Sequence, residues 1–142
     1  LAVDGTPLAL VNNGTVCYPY PDRLGTVQRI TDAGQQVVWS ARYEPFGQAV
    51  IGSSIEYNPR FPGQYYDAET GLYYNHFRDY DAGVGRYVES DPVGLRGGVN
   101  TYAYVGNSPV NSIDPEGLAA VIPGPLGIPL PIGLPSSPFK LK

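Results

Sequence analysis

Two nine-residue stretches, YDAETGLYY from Tyr66 and YDAGVGRYV from Tyr80, share the pattern Y-D-A-x-x-G-x-Y at an interval of 14. So short an interval fits one strand and one tight turn, and it predicts an antiparallel meander whose units bury their faces on one another. In each copy an aspartate, Asp67 or Asp81, is placed to open the turn by accepting backbone N–H groups. Gly71 or Gly85 closes it. Read as one continuous strand, residues 72–80 put Leu72, Tyr74, His76, Arg78 and Tyr80 on one face. Tyr73, Asn75, Phe77 and Asp79 then share the other.

The composition agrees with strands and turns. Among 142 residues there are 18 glycines and 15 prolines. Such punctuation leaves few runs long enough for a helix, because proline lacks an N–H donor and glycine loses the most backbone entropy on ordering. Twelve tyrosines outnumber four phenylalanines. Tyrosine supplies apolar area for cross-strand packing while its hydroxyl finds a polar partner. Structural packing is the first reading of these rings; carbohydrate stacking through exposed residues such as Tyr73 and Tyr74 is the other.

Several classes of function are disfavoured. A net charge of −4 lacks the basic stripe of a nucleic-acid binder. One cysteine, Cys17, allows no internal disulfide, and one histidine, His76, makes no ligand set, so neither metal nor cofactor is expected. His76 reads as a strand residue. No run of 18 apolar residues predicts a membrane span. The chain starts at Leu1 and contains no methionine, so it is expected to be a fragment or a processed piece.

Along the chain, residues 1–57 read as short hairpins. Thr26–Thr31 and Gln36–Tyr43 would be the arms of one, with Asp32, Ala33 and Gly34 as its turn and Gly34 taking positive φ. Residues 58–118 form a turn-dense core with one short strand at Asn100–Val105 between two Asp-Pro phrases. Residues 119–142 carry six prolines and no charge before Lys140. They exclude helix and central strand, and favour extended, polyproline-like backbone.

The two phrases are DPVGL at Asp91 and DPEGL at Asp114. Asp-Pro-x-Gly suits a type I turn, with Pro92 or Pro115 at the second position and Gly94 or Gly117 at the fourth. Turn formation alone accounts for one such phrase. Taken as a pair, Asp91 and Asp114 could form a carboxylate dyad in which like charges keep one proton. One member then activates water and the other protonates the leaving nitrogen. Within one chain the substrate is already held, worth roughly 7–11 kcal/mol of the barrier. Arg86 and Arg96 flank the first phrase and could support a carboxylate or an oxyanion.

The run HFRDYDAGVGRYVESDPVGLRGGVNTYAYVGNSPVNSIDPEGL closely resembles the Rhs-repeat-associated core of bacterial Rhs and YD-repeat proteins. RFPGQYYDAETGLYYN and DRLGTVQRITDAGQQVVWSARYEPFG are similar to the segments preceding that core. The resemblance covers about residues 18–118. It implies an all-β fold: an antiparallel, hairpin-rich meander forming part of a β-shell, with an irregular tail. It also implies aspartyl self-cleavage between Leu118 and Ala119 by Asp91 and Asp114. Implied partners are the rest of the shell, a variable C-terminal cargo, a secretion apparatus and an immunity protein, in a bacterial protein exported or displayed at the cell surface. The residue-level alternatives are a non-cleaving shell or surface module and a carbohydrate-binding module.

Overall fold

The computed structural model describes residues 2–3, 6–123 and 129–131. The described residues are all-β, with two 3-10 turns, Gly94–Gly97 and Val105–Asn107, as their only helical elements. Ala2–Val3 (β1) pairs with Thr6–Pro7 (β2). A five-stranded antiparallel sheet follows in chain order: Leu10–Asn12 (β3), Thr15–Pro21 (β4), Val27–Thr31 (β5), Val37–Tyr43 (β6) and Ala49–Ser53 (β7). Cys17, Val27, Ile30 and Trp39 form its buried cluster, and Trp39 packs edge-on against Tyr57.

The β5–β6 hairpin lies where the sequence puts it, with one correction at its turn. Asp32 accepts the Gln36 N–H at 2.9 Å through Oδ1, and positive φ falls on Gln35, at 63°, not on Gly34. The aspartate's hold on the far side of the turn moves the left-handed residue one place on.

The second sheet is Tyr65–Tyr66 (β8), Tyr73–Asn75 (β9), Arg78–Asp81 (β10) and Arg86–Tyr87 (β11), again in sequence order. Asp67 and Asp81 open their turns as expected, accepting the Glu69 and Gly83 N–H groups at 2.9 Å. The expectation of one strand per 14 residues is corrected. A two-residue turn at His76–Phe77, with His76 at φ 52°, splits residues 72–80 into β9 and β10. Each 14-residue unit thus holds two strands and two turns. Phase reverses at the turn, so Tyr73, Asn75, Arg78 and Tyr80 are the buried residues, and His76 is a turn residue.

This arrangement explains the tyrosines. Tyr66 faces Tyr73, Tyr73 faces Tyr80, and Tyr80 faces Tyr87 across successive strands, so one tyrosine row crosses the sheet. Tyr73, Tyr80 and Tyr87 join Phe61, Tyr104 and Val105 in the second buried cluster. The Tyr73 hydroxyl donates to the Gly47 carbonyl at 2.9 Å and that of Tyr80 to the Phe46 carbonyl at 2.6 Å, while that of Tyr104 is buried without a hydrogen-bond partner among the described residues. Aromatic area makes this core, and most of its tyrosines keep a polar partner for the hydroxyl.

The expected strand at Asn100–Val105 does not form. Asn100 caps a turn, accepting the Tyr102 N–H on its side chain and the Ala103 N–H on its carbonyl, and only Ala103 makes a bridge, to Arg86. In the tail, Val121–Pro123 (β12) pairs with Pro129–Pro131 (β13), and Val121 also bridges Ile113. The backbone of these residues is extended as expected, but it is paired β-strand and not the unpaired polyproline-like form, because Val121 finds ladder partners on both sides. The rest of the tail, 124–128 and 132–142, lies outside the described residues. Among the described residues no helix is long and apolar enough to cross a membrane, which says nothing of a β-barrel.

Candidate functional site

The tight turn between β9 and β10 holds the second Asp-Pro phrase. Asn75 Nδ2 donates to the Asp114 carbonyl at 2.9 Å, the Phe77 amide to the Glu116 carbonyl at 3.4 Å, and Arg78 Nε to the Gly117 carbonyl at 2.5 Å. Gly117 sits at φ 72°, and a Cβ there would lie 2.4 Å from the Asn75 carbonyl oxygen. No side chain fits that approach. The phrase is therefore clamped against the hairpin through its backbone.

Asp91 and Asp114 are both buried, 8% and 2% exposed, and one side chain brings them together. Arg78 Nη2 lies 3.2 Å from Asp91 Oδ2 and 3.3 Å from Asp114 Oδ2. Its Nη1 donates to the Thr101 carbonyl at 3.1 Å, and its guanidinium stacks 3.6 Å from the Tyr87 ring centroid. The two acids meet through a cation, in a carboxylate–guanidinium–carboxylate bridge. Burial requires it, since charges taken out of water need a partner.

Asp114 has further partners. Tyr87 donates its hydroxyl to Oδ2 at 2.9 Å, and that hydroxyl accepts from Asn75 Nδ2 at 2.8 Å. Burial, and then the Asp114 carboxylate, push the Tyr87 hydroxyl far above the ordinary tyrosine range, so it stays a donor. Asp114 Oδ1 accepts the Leu118 N–H at 3.0 Å and the Ala119 N–H at 3.1 Å. The second of these is the nitrogen of the Leu118–Ala119 peptide. A cleft of about 360 Å³, lined by Asp114, Pro115, Glu116, Leu118, Ala119 and Val121, opens beside that bond. A second cleft of about 340 Å³, lined in part by Asp22, Arg42, Tyr43 and Pro109, contains none of the candidate residues.

Pro92 and Gly94 shape a turn as expected, with the Gly94 N–H bonded to the Asp91 carbonyl at 2.9 Å. Arg86 and Arg96 are not at the site. Both are exposed, and Arg86 packs over the Tyr102 ring. They flank the first phrase in sequence, but β11 and the 3-10 turn carry them outward. Arg78, Asn75 and Tyr87 do the holding, and sequence reasoning passed over all three. Arg78 could have been singled out as the cation two places before a core tyrosine in a turn-bounded strand. Tyr73 is buried, so it is withdrawn from any carbohydrate surface; Tyr65 and Tyr74 are the exposed cross-strand pair. No cluster of three or more His, Cys, Asp or Glu side chains able to hold a metal ion occurs among the described residues.

The sequence profile of the Teneurin YD-shell family matches residues 5–110, ending four residues before Asp114. Double-stranded DNA deaminase toxin A of Burkholderia cenocepacia (strain H111) is 42% identical over 106 residues, 70% of this chain and 7% of the relative. Toxin protein Tse5 of Pseudomonas aeruginosa is 37% identical over 123 residues, 82% of this chain and 9% of the relative. The solved structure of TcdB2-TccC3 without its hypervariable C-terminal region superposes with a TM-score of 0.68 at 33% identity, covering 76% of this chain and 5% of that one. The chain spans less than a tenth of the length of each of these three.

Proposed function

The chain belongs to the YD-shell family of Rhs/YD-repeat proteins, and on that premise we propose that it helps close a β-shell and frees the segment after Leu118 by cutting its own backbone. One observation carries the reading: a buried carboxylate, Asp114, bonds through one oxygen to the amide nitrogen of the Leu118–Ala119 peptide. Hydrolysis needs one carboxylate to take a proton from attacking water and one carboxyl to hand a proton to the departing nitrogen. Asp114 accepts from that nitrogen, so we assign it the base: it takes a proton from the attacking water and passes it to the nitrogen as the bond breaks. Asp91, tied to it through Arg78, is the second carboxyl. Water adds to the Leu118 carbonyl carbon and the bond to Ala119 nitrogen breaks. Leu118 ends as a carboxylate and Ala119 as an amine, so water alone balances the reaction. Because the bond is already held in the chain, proximity supplies much of the rate.

The proposed partners are the rest of the shell, a C-terminal cargo, a secretion apparatus and an immunity protein, with the parent exported or at the cell surface. Intact mass of the purified chain tests the chemistry. The expected result is a species ending at Leu118 that disappears in Asp91→Asn or Asp114→Asn. A chain that stays full length would favour the second reading, a non-cleaving shell module. One observation speaks for that reading: the same carboxylate bonds also satisfy backbone N–H groups of a buried turn. A cut between Asp114 and Pro115 instead marks ordinary acid lability.

A further inference from the structure

Resting on the self-cleavage just proposed, we infer that downstream of the cut the site reads backbone at 119 and 121 and one side chain, at 120. Its substrate class is then any sequence with a small residue at 120 and no proline at 119 or 121.

Three contacts carry this. The Ala119 N–H goes to Asp114 Oδ1. Val121 exchanges two backbone bonds with Ile113, its N–H to the Ile113 carbonyl at 2.7 Å and its carbonyl to the Ile113 N–H at 2.9 Å. Ile113 immediately precedes Asp114, so the catalytic loop and the strand that binds the substrate segment are one piece of chain. Between these two grips Ala120 packs against the tyrosine cluster of Phe61, Tyr73, Tyr80, Tyr87, Tyr104 and Val105. Ala119 is exposed, and Ala119 and Val121 both line the open cleft. Ala119 thus faces the cleft and Ala120 the aromatic cluster, while Val121 is half-buried at the cleft wall. The cleft leaves room for larger residues at 119 and 121. At 120 the aromatic cluster crowds the half-buried side chain and favours a small one.

The tail's own composition fits this rule. Of its six prolines the first is Pro123, two residues beyond the last backbone grip. Proline has no N–H, so at 119 or 121 it removes the bond that aligns the scissile peptide.

The test compares self-cleavage rates of the full chain by intact mass for Val121→Pro, Val121→Thr, Ala119→Lys and Ala120→Leu. Loss of one backbone hydrogen bond should slow Val121→Pro about tenfold. Val121→Thr keeps its backbone bond and should cleave several-fold faster than Val121→Pro. Ala119→Lys should cleave faster than Ala120→Leu, which should be slowed at least as much as Val121→Pro. Equal rates for Val121→Pro and Val121→Thr overturn the inference, as does an Ala119→Lys chain no faster than Ala120→Leu. A second measurement is independent of cleavage: in the uncleaved Asp91→Asn chain, exchange of the Val121 amide with solvent should be slowed at least about tenfold relative to an exposed amide. Free exchange there overturns the inference. A chain that never cleaves but protects that amide would sink the proposed chemistry and leave the backbone grip standing.

Discussion

The chain writes the same five-residue phrase twice, and the two copies do different work. At DPVGL the turn closes on itself: the Asp91 carbonyl takes the Gly94 N–H and the Asp91 carboxylate takes the Val93 N–H. At DPEGL the aspartate reaches past its own turn, to the amides of residues 118 and 119, while the backbone is held by Asn75, Phe77 and Arg78. Leu95 of the first phrase is exposed; Leu118 of the second is half-buried. The first phrase is thus a self-contained turn lending one carboxylate, and the second is docked on a hairpin. Context, not local sequence, divides the labour.

Among the described residues Arg78 is the side chain that contacts both aspartates, so removing it should do the most damage. Arg78→Ala leaves two buried carboxylates without their cation and should cost about 3–5 kcal/mol. Urea unfolding measures this, and a loss below 1 kcal/mol would mean that the two phrases do not depend on a shared cation.

The glycines sharpen the contrast next. Gly117→Ala meets both left-handed backbone and the Asn75 carbonyl at 2.4 Å, and should cost about 3 kcal/mol. Gly94→Ala has the same left-handed backbone, at φ 63°, but nothing within 4 Å of a new Cβ. It should cost only about 1 kcal/mol. Equal losses from the two would erase the proposed difference between a docked and a free turn.

The smallest effect is the response to alkali. Burial raises Tyr80 and Tyr87, and Tyr87 anchors only the second phrase. Below the ordinary tyrosine value of about 10 both folded and unfolded chains keep these protons, and stability is full. Above it the unfolded chain loses protons that the folded chain retains, so stability falls as pH rises toward the folded values. Melting temperature should hold flat to about pH 10 and then decline, less steeply in Tyr87→Phe.

What could be read from the sequence was local. The β5–β6 arms and the Asp67–Gly71 and Asp81–Gly85 turns are set by residues a few places apart, and both aspartates of the candidate pair stood out because their phrase repeats. The His76–Phe77 turn was hidden, since neither residue is a turn former and the 14-residue interval masked a tyrosine every seven. Arg78 was hidden because its partners lie 13 and 36 residues away. Arg86 and Arg96 were nominated for nearness along the chain; strand phase turned Arg86 outward, and the 3-10 turn did the same for Arg96.

The account stands on a carboxyl oxygen resting against one particular peptide nitrogen, in one copy of the phrase and not the other. Sequencing the amino termini that appear as the purified chain ages at neutral pH tests this most directly. A single new terminus beginning Ala-Ala-Val-Ile at Ala119 is the predicted result. A terminus at Arg96, following the leucine of the first copy, or none at all, would contradict it.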